Sequence, residues 1–503
     1  MREPNSNCGN SGEGVDAFDL GLSLDAELGG EAEAGTKETR QEPNLRPFPE
    51  LEPSALYGVA GEFVRLATRK SEAHPAAVLS TLLARVGVEV GSGPYVPVGD
   101  TEHRAKLYVA IVGISSKSRK GTSAGPVNRL FMQNSQNSHL RKPANKSPGP
   151  LSSGEGLIYR VRDPVRNWQV DKSTGQGSWV VTDPGEEDKR LFVLDEELAA
   201  GLQCTRREGN TLSTVLRCLW DSGNAEPLTK TSRISVTGGH VGVVTHITLA
   251  ELNRVLNETE LLNGFANRFL WICARRDTLK AFPEAMPEDK LIRLQERIFS
   301  KLSRFQERCE MSLDYPARGL WEKIYPFLSQ DRPGLVGTVL NRAEAQVLRL
   351  ALIYAILDGS MFIGLPHLHA ALAFWRYAEA SAHFIFGGRE TEPRAQKIVD
   401  ALQNGPLETS GLYAVFSNHI SKRELEATLN SLIASGRIEY RDEVKEPGSK
   451  PKRTYFLSEF SEFSELASKS DSYGANLERI KCEFSPEEPQ EPEQENEEDW
   501  YEI

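Results

Sequence analysis

The sequence has few cysteines, and none of them are spaced as in a metal-binding or redox motif. The six cysteines among 503 residues are scattered singly, which argues against a zinc site and against a disulfide framework. Long apolar runs are also missing, since no stretch reaches the roughly 18 residues that a membrane-spanning helix needs. The N-terminus is acidic and polar and does not have the basic and then apolar start of a secretory leader. These absences predict a cytoplasmic protein that does not contact a membrane.

Charge is distributed unevenly along the chain. Residues 1–45 hold 10 acidic and 3 basic side chains, and residues 458–503 hold 15 and 3, so the middle keeps 46 acidic against 53 basic ones, a net charge of +7. Residues 1–45 are poor in aromatic residues, and residues 458–503 contain a segment rich in Pro and Glu, so both ends are predicted to be disordered. The acidic tails either aid solubility or compete with nucleic acid for a basic surface.

Four short apolar runs in the first half predict buried strands. They are AKLYVAIVG (residues 105–113), KRLFVLDEELAAGL (189–202), GHVGVVTHITLAEL (239–252) and NRFLWICARR (267–276). Continuous apolar runs are typical of parallel strands buried on both faces, and strands that alternate with helices indicate an α/β sheet. Helical spacing before the first strand, with Pro75 in a first turn, predicts leading helices over residues 53–90.

The second half of the chain predicts helices and then a small mixed unit. NRAEAQVLRLALIYAILDG (341–359) and the segment at 365–387 have broad apolar faces, which favours a helical bundle over residues 281–390. Residues 391–457 carry three helical patterns followed by two strand-like pieces, RIEYRDEV and KRTYFL. That order is typical of a winged helix-turn-helix. The predicted organisation is an α/β core over 46–280, a bundle over 281–390 and a winged helix over 391–457, with tails at 1–45 and 458–503.

A loop rich in glycine and basic residues follows the first predicted strand. VGISSKSRKGTSAGPVNRLF (112–131) departs from the phosphate-loop consensus GxxxxGK[ST], because Ser118 stands at the second glycine position. A phosphate cradle needs backbone N–H groups, a lysine and a hydroxyl after the end of a strand. The candidates for these roles are Gly113, Lys120, Gly121, Thr122 and Ser123. The alternative is a solvated basic turn before a helix.

Two acidic residues end the second predicted strand, RLFVLDEE. In phosphoryl-transfer enzymes such acids hold Mg²⁺ and orient the attacking water, which predicts these roles for Asp195 and Glu196. The alternative is that they only cap the next helix, because carboxylates are favoured at a helix N-terminus. Their position downstream of the basic loop supports the catalytic interpretation.

A set of segments resembles a known bacterial family. The segments are SKSRKGTSAGPVNRLF, LSSGEGLIYRVRDP, RLFVLDEEL, REGNTLSTVLRCLWDSG, LTKTS, THITLAEL, NGFANRFLW and NRAEAQVLRLALIYAILD. Together, over residues 53–387, they resemble a domain-of-unknown-function family of helicase-like P-loop proteins. That family is distantly similar to RepA-type and RecA-type hexameric replicative helicases and is frequent in phages, plasmids and genomic islands. The resemblance implies a RecA-like P-loop NTPase core with flanking helices, using ATP and Mg²⁺.

The resemblance also implies roles for matching positions. These are phosphate contact by Lys120, Gly121 and Thr122, a Mg²⁺ ligand in Thr122 or Ser123, Mg²⁺ and water activation by Asp195 and Glu196, and a trans-acting charge from Arg268. The third predicted strand ends with Thr245 and His246, where a RecA-like sheet places the group that senses the γ-phosphate. The alternative for the histidine is a structural role, which is the more common one at a strand end. From the local sequence alone, a surface or intramolecular ion pair is the favoured explanation of Arg268. Glu155, in the SSGEG motif, matches the family without a role that the residues themselves suggest.

Basic residues in the predicted winged helix indicate contact with DNA. Lys422 and Arg423 open its long helix, and Lys450, Lys452 and Arg453 lie in its wing, a distribution that suits a phosphate backbone. Winged helices also bind proteins, which is the alternative.

The combined prediction is an ATP-dependent, helicase-like DNA motor from a mobile-element replication system. Its predicted partners are DNA, as a single strand or a replication origin, and further copies of itself, with a hexamer among the candidate sizes. One alternative is a non-hydrolysing DNA-binding initiator or regulator with a degenerate loop. Another is an ATP-driven switch that acts on protein partners.

Overall fold

A computed structural model describes most of the chain between residues 47 and 457. The described residues are 47–114, 118, 120–132, 142–170, 172–173, 175–227, 234–256, 260–261, 263–332, 334–387, 393–402, 404–417, 419–434, 438–443 and 452–457. The two tails predicted at 1–45 and 458–503 lie outside them.

The described strands include all four that the apolar runs predict. In chain order the strands are β1 Pro94–Val98, β2 Thr101–Arg104, β3 Tyr108–Gly113, β4 Asn145–Ser147, β5 Val165–Val170, β6 Gly177–Asp183, β7 Arg190–Asp195, β8 His240–Thr248, β9 Phe269–Ala274, β10 Cys309–Glu310, β11 Leu407–Glu408, β12 Ile438–Glu443 and β13 Lys452–Leu457.

Five of these strands form one parallel sheet in the order β4-β7-β8-β3-β9. Every residue of β3, β7 and β9 is buried, as continuous apolar runs require. The mixed α/β class is therefore confirmed. The short edge strand β4 was not predicted, because its sequence, NKS, is polar.

Helices precede, connect and follow the strands. In chain order they are α1 Gly58–Thr68, α2 Pro75–Val90, α3 Ala124–Leu130, α4 Gly154–Tyr159, α5 Leu198–Thr205, α6 Leu212–Asp221, α7 Leu249–Val255, α8 Glu288–Leu302, α9 Tyr315–Leu328, α10 Gly334–Leu340, α11 Ala343–Asp358, α12 Leu365–Phe386, α13 Pro393–Leu402, α14 Thr409–Val415 and α15 Lys422–Ala434. As predicted, Pro75 opens a helix, where its missing N–H costs nothing.

Long helices pack closely on the parallel sheet. Helix α2 comes so near to β8 that a Cβ atom added at Gly242 would lie 2.4 Å from Val88 Cγ2. Helix α12 lies against β9, where Trp271 and Phe386 make an edge-to-face contact at 5.0 Å. The Tyr377 hydroxyl donates a hydrogen bond to the Cys273 carbonyl (2.7 Å). These contacts hold the sheet rigidly, so its ends can position side chains.

Residues 393–457 have a hydrophobic core of their own. Helices α13, α14 and α15 and the antiparallel sheet β11-β13-β12 contribute to it, with Ile398, Leu412, Leu429 and Tyr455 among the buried side chains. The three predicted helices and both predicted strands are present, and the two-residue strand β11 is an addition.

Two small sheets lie outside the main one. Strand β1 pairs with β2 in antiparallel and with β10 in parallel orientation, and β5 pairs with β6 as an antiparallel hairpin. Within the described ranges, no helix is long and apolar enough to cross a membrane.

Candidate active site

The predicted phosphate loop joins a strand to a helix. Strand β3 ends at Gly113, residues Lys120–Ser123 form a turn of 3-10 helix, and α3 follows directly. Residues 115–117 and 119 and the side chain of Lys120 fall outside the described part. Gly121 and Thr122 are exposed, whereas Ser123 is fully buried. Of the two predicted hydroxyl ligands, only Thr122 therefore faces solvent.

Asp195 ends β7 in a tightly covered position. Its side chain is 1 % exposed, and its carboxylate accepts hydrogen bonds from the backbone N–H groups of Leu151 (3.3 Å) and Glu197 (3.0 Å). Gly149 has a φ of +78°, and a Cβ atom there would lie 2.9 Å from Asp195 Oδ1. Glycine thus lets the chain cover the carboxylate. A carboxylate can accept about four hydrogen bonds, and backbone N–H groups occupy two of these positions.

Glu196 lies in a different environment from its neighbour. It is exposed and, within the described ranges, makes no hydrogen bond or ion pair. Helix α5 begins after Glu197 without a side-chain cap. The Glu197 N–H donates to the Asp195 carboxylate two residues earlier, which is a local turn contact before the first turn of the helix. The helix-capping explanation therefore finds no support for either acid among the described residues.

Lys146, on the edge strand β4, links the two halves of this site. Its ammonium group donates a hydrogen bond to Asn128 Oδ1 on α3 (2.9 Å). Burial and the Arg85 charge lower the pKa of Lys146, and the Glu196 charge opposes that shift. Glu196 is therefore within electrostatic range of a lysine that touches the helix after the loop. Sequence reasoning missed Lys146 because strand β4 gives no apolar signal.

Strand β8 separates the loop from the acids. In register, Thr245 lies beside Asp195 on one side and beside Ala110 of β3 on the other. Thr245 is completely buried, and its hydroxyl has no hydrogen-bond partner among the described residues. The neighbouring His246 is buried as well. A buried hydroxyl without a partner is costly, so this position has capacity to bind a ligand.

Arg268 lies at the other end of the sheet. It immediately precedes β9, and because all five strands are parallel, it is at the amino edge, opposite to Asp195. Its guanidinium pairs with Asp221 (2.6 Å), donates to the Gly264 carbonyl and lies 5.7 Å from the centre of the Trp220 ring. The structure therefore does not bring Arg268 together with the other predicted residues of the same chain.

The SSGEG motif has a structural explanation. Glu155, in the first turn of α4, accepts a hydrogen bond from the Thr211 hydroxyl at the start of α6 (2.9 Å). A Cβ atom at Gly154 would lie 2.4 Å from the same hydroxyl. The glycine and the glutamate together fix α4 against α6.

The predicted DNA-binding residues are only partly described. Lys422, Arg423 and Arg453 are exposed, and the Arg453 guanidinium lies 4.0 Å from the centre of the Tyr440 ring. Lys450 and the side chain of Lys452 lie outside the described residues.

The described residues contain no group of three or more His, Cys, Asp or Glu side chains suited to hold a metal ion. This does not conflict with Mg²⁺, which is commonly bound through one or two protein ligands together with substrate phosphates. In comparisons with known proteins, no family model matches the chain, and no curated protein matches it. The family resemblance therefore remains a prediction.

Proposed function

We propose that the chain is an ATP-hydrolysing DNA motor of the RecA-like P-loop class, which works as a homo-oligomer in the replication of a mobile element. The order of the sheet carries the proposal. Strand β8, with the buried hydroxyl of Thr245, lies between β3, which leads into the Lys120 loop, and β7, which ends in Asp195 and Glu196. Open parallel sheets bind ligands at the carboxyl ends of their strands.

In this proposal each side chain has a separate task. The backbone at Gly121 and the charge of Lys120 contact the phosphates. Glu196, exposed and unpaired in the described structure, accepts a proton from the attacking water. Bound Mg²⁺ would be held by Thr122 and Asp195 and would neutralise phosphate charge. Asp195 suits this role by its place at the carboxyl end of β7, where two backbone hydrogen bonds orient its carboxylate.

The remaining predicted residues act between molecules. Because Arg268 is at the opposite edge of the sheet, it can stabilise phosphate charge only in a neighbouring subunit, and it would first have to leave Asp221. Residues 393–457 would form a winged helix that contacts DNA through Lys422, Arg423 and Arg453, exposed residues that suit phosphate contact.

The test is ATP hydrolysis by the full chain, with and without single-stranded DNA. We expect DNA-stimulated turnover in the wild type and its loss in Lys120→Ala. Glu196→Gln should lower the turnover number by about 10²–10⁴-fold, the usual contribution of a general base. Glu197→Gln is the matched control, because this neighbouring exposed carboxylate follows the strand by one more residue, and it should retain activity. Equal activity in both glutamine variants would contradict the role of Glu196.

A second candidate is a DNA-binding initiator that does not hydrolyse ATP. It is favoured by the nearly complete burial of Asp195, whose two oxygens already accept backbone hydrogen bonds. Wild-type protein that binds DNA without turnover would support it. Turnover that is indifferent to DNA would instead support an ATP-driven switch acting on protein partners.

A further inference from the structure

The hairpin β5–β6 exposes almost its whole length. All residues of β5 except Val165, and all residues of β6 except Gly177 and Asp183, are exposed. None of its side chains belongs to the hydrophobic core. A two-stranded hairpin is at best marginally stable alone in water. Apolar side chains on such an element contribute nothing to the body of the protein, so they point to a ligand.

Two tryptophans face each other on this hairpin. Trp168 and Trp179 are directly paired across the strands, with ring centroids 5.7 Å apart at 73°. They are 56 % and 66 % exposed, and Val170 and Val181 on the same face are exposed as well. Gly177 lies under the Trp168 ring, where a Cβ atom would be 2.1 Å from Cζ2. The ring is thus held on one side and open to solvent on the other.

The charge around the tryptophans is positive. Arg166 pairs with Val181 and, two residues before Trp168, lies on the same face. Neither strand carries a carboxylate other than Asp183. That carboxylate is fully engaged by Arg162, at 2.7 and 2.9 Å.

The same pattern continues at the base of the hairpin. The Arg162 guanidinium lies 4.0 Å from the centre of the exposed Tyr159 ring. Because Arg162 also pairs with Asp183 and Glu186, this contact adds an exposed aromatic ring beside the hairpin but no free positive charge.

We propose that this tryptophan face, formed by Arg166, Trp168, Val170, Trp179 and Val181, is a stacking platform for single-stranded nucleic acid. Bases stack on the open indole faces, and Arg166 contacts the phosphates, the combination by which proteins bind single strands without reading sequence. The inference rests on the proposed function, because it assumes that DNA is the substrate. It adds a contact surface on an element separate from residues 393–457.

The opposite face of the hairpin supports this choice of ligand. It carries Asn167, Gln169, Ser178 and Thr182, which are exposed, uncharged hydrogen-bonding side chains, and Val180. The exposed aromatic side chains are thus confined to the tryptophan face, so a ligand that stacks on aromatic rings would bind that face. Arg166, which makes no ion pair among the described residues, complements a polyanion, and the two indoles complement its aromatic bases.

The experiment measures binding of the full chain to a labelled oligothymidylate by fluorescence anisotropy over a series of salt concentrations. Trp168→Ala and Trp179→Ala should each raise Kd about tenfold, within the range known for base stacking, and Trp168→Phe should recover most of the loss. Arg166→Ala should reduce the slope of log Kd against log salt by about 0.7, whereas the tryptophan variants should leave the slope unchanged. Asn167→Ala, on the opposite face, is the matched control and should bind like the wild type.

The outcomes separate this proposal from the proposed function. ATP turnover without DNA should be unchanged in every hairpin variant, which also reports on folding. Wild-type binding with no loss in the tryptophan variants overturns the platform and leaves the motor proposal intact. A wild type that hydrolyses ATP but binds no single strand overturns both DNA claims. Loss of self-association in the tryptophan variants, measured by light scattering with DNA affinity unchanged, would assign the face to a second copy and overturn the platform.

Discussion

Burial fixes the charge state of several histidines in the body. His240, at the start of β8, donates a hydrogen bond from Nε2–H to the Gly87 carbonyl (2.8 Å) and is almost inaccessible to solvent. Burial, followed by the charge of Lys106, lowers the pKa of His240 to about 3. His103 is lowered to about 4 by burial and by the charges of Arg349 and Arg342. Both rings are therefore neutral in the folded protein at any pH above about 5.

The buried histidines predict a loss of stability in mild acid. The unfolded chain takes up a proton at His240 below about pH 6.5, whereas the folded chain does not until about pH 3. The free energy of unfolding should therefore fall as the pH is lowered through this window, by at most about 1.4 kcal/mol per pH unit for each such histidine. Urea unfolding between pH 7 and pH 5 measures the slope.

Two variants isolate the contribution of His240. His240→Gln should make the pH dependence shallower, even if it lowers stability overall. His419→Gln is the control, because His419 is exposed, and it should leave the slope unchanged. An identical slope in wild type and His240→Gln would show that the ring does not titrate as described.

At the scale of elements, a buried ion pair joins α2 to the edge strand. Arg85 and Glu89 pair within α2, with side chains 6 % and 2 % exposed. Glu89 accepts a hydrogen bond from the Ala144 N–H (2.9 Å), and Arg85 donates to the Ala144 carbonyl (3.2 Å). Ala144 directly precedes β4, so the pair fixes the strand that carries Lys146.

Removing one member of this ion pair should strongly destabilise the folded protein. Glu89→Leu should lower the free energy of unfolding by about 3–5 kcal/mol, because it leaves Arg85 charged and unpaired in the interior. Arg85→Met combined with Glu89→Leu should cost less than the sum of the two single changes, because both partners are then absent. Arg190, which also lies 3.6 Å from Glu89, keeps its ion pair with Asp188. Urea unfolding of the four proteins gives the coupling energy.

The matched comparison is the exposed pair Lys422 and Glu426, which has the same i, i+4 spacing at 3.7 Å. Its coupling energy should be no more than about 0.5 kcal/mol. Equal coupling in the two pairs would contradict the importance of burial for Arg85 and Glu89.

The elements that bury apolar surface could be predicted from the sequence. The elements that bury little apolar surface could not. The runs that became β3, β7, β8 and β9 each have a continuous apolar stretch, so their pattern was sufficient. Strand β4 is held by backbone pairing to β7 and by α2, and β5–β6 buries almost nothing. Neither has a local hydrophobic period that could reveal it.

The candidate site likewise contains some residues that the local sequence reveals and others that only the tertiary structure places. A strand that ends in Asp195 and Glu196 can be recognised locally, and so can a glycine-rich loop after a strand. The opposite placement of Arg268 depends on strand direction and order, which are set by crossovers far apart in the chain. The proximity of Lys146 to Asn128 and Glu196 depends on tertiary packing alone.

At the scale of the whole molecule, the two hydrophobic cores share no residue. A chain that ends at Gly387 should therefore keep the thermal unfolding midpoint of the body and its ATP turnover without DNA, while its affinity for DNA falls. The physical reason is that removing residues 393–457 exposes no cavity in the larger core. Calorimetry and the binding assay check this.

A point variant controls for the shorter chain. Leu429→Ala, in the smaller core, should destabilise residues 393–457 by about 2–5 kcal/mol, the usual cost of such a truncation, and leave the transition of the body in place. A clear drop in the midpoint of the body in either protein would show that the two parts stabilise each other.

The order of the parallel sheet also has a consequence for synthesis. Tyr108 of β3 pairs with Val243 of β8, about 135 positions later, and with Phe269 of β9. At ribosomal rates, β8 is synthesised on the order of ten seconds after β3. During that time the apolar strand β3 has no strand to pair with. Helix α2 precedes β3 and contacts it in the finished sheet. Helix α2 is therefore the first surface that can shield the nascent strand β3. Substitutions that weaken the packing of α2 on β3 should cause aggregation during expression before they affect the folded protein.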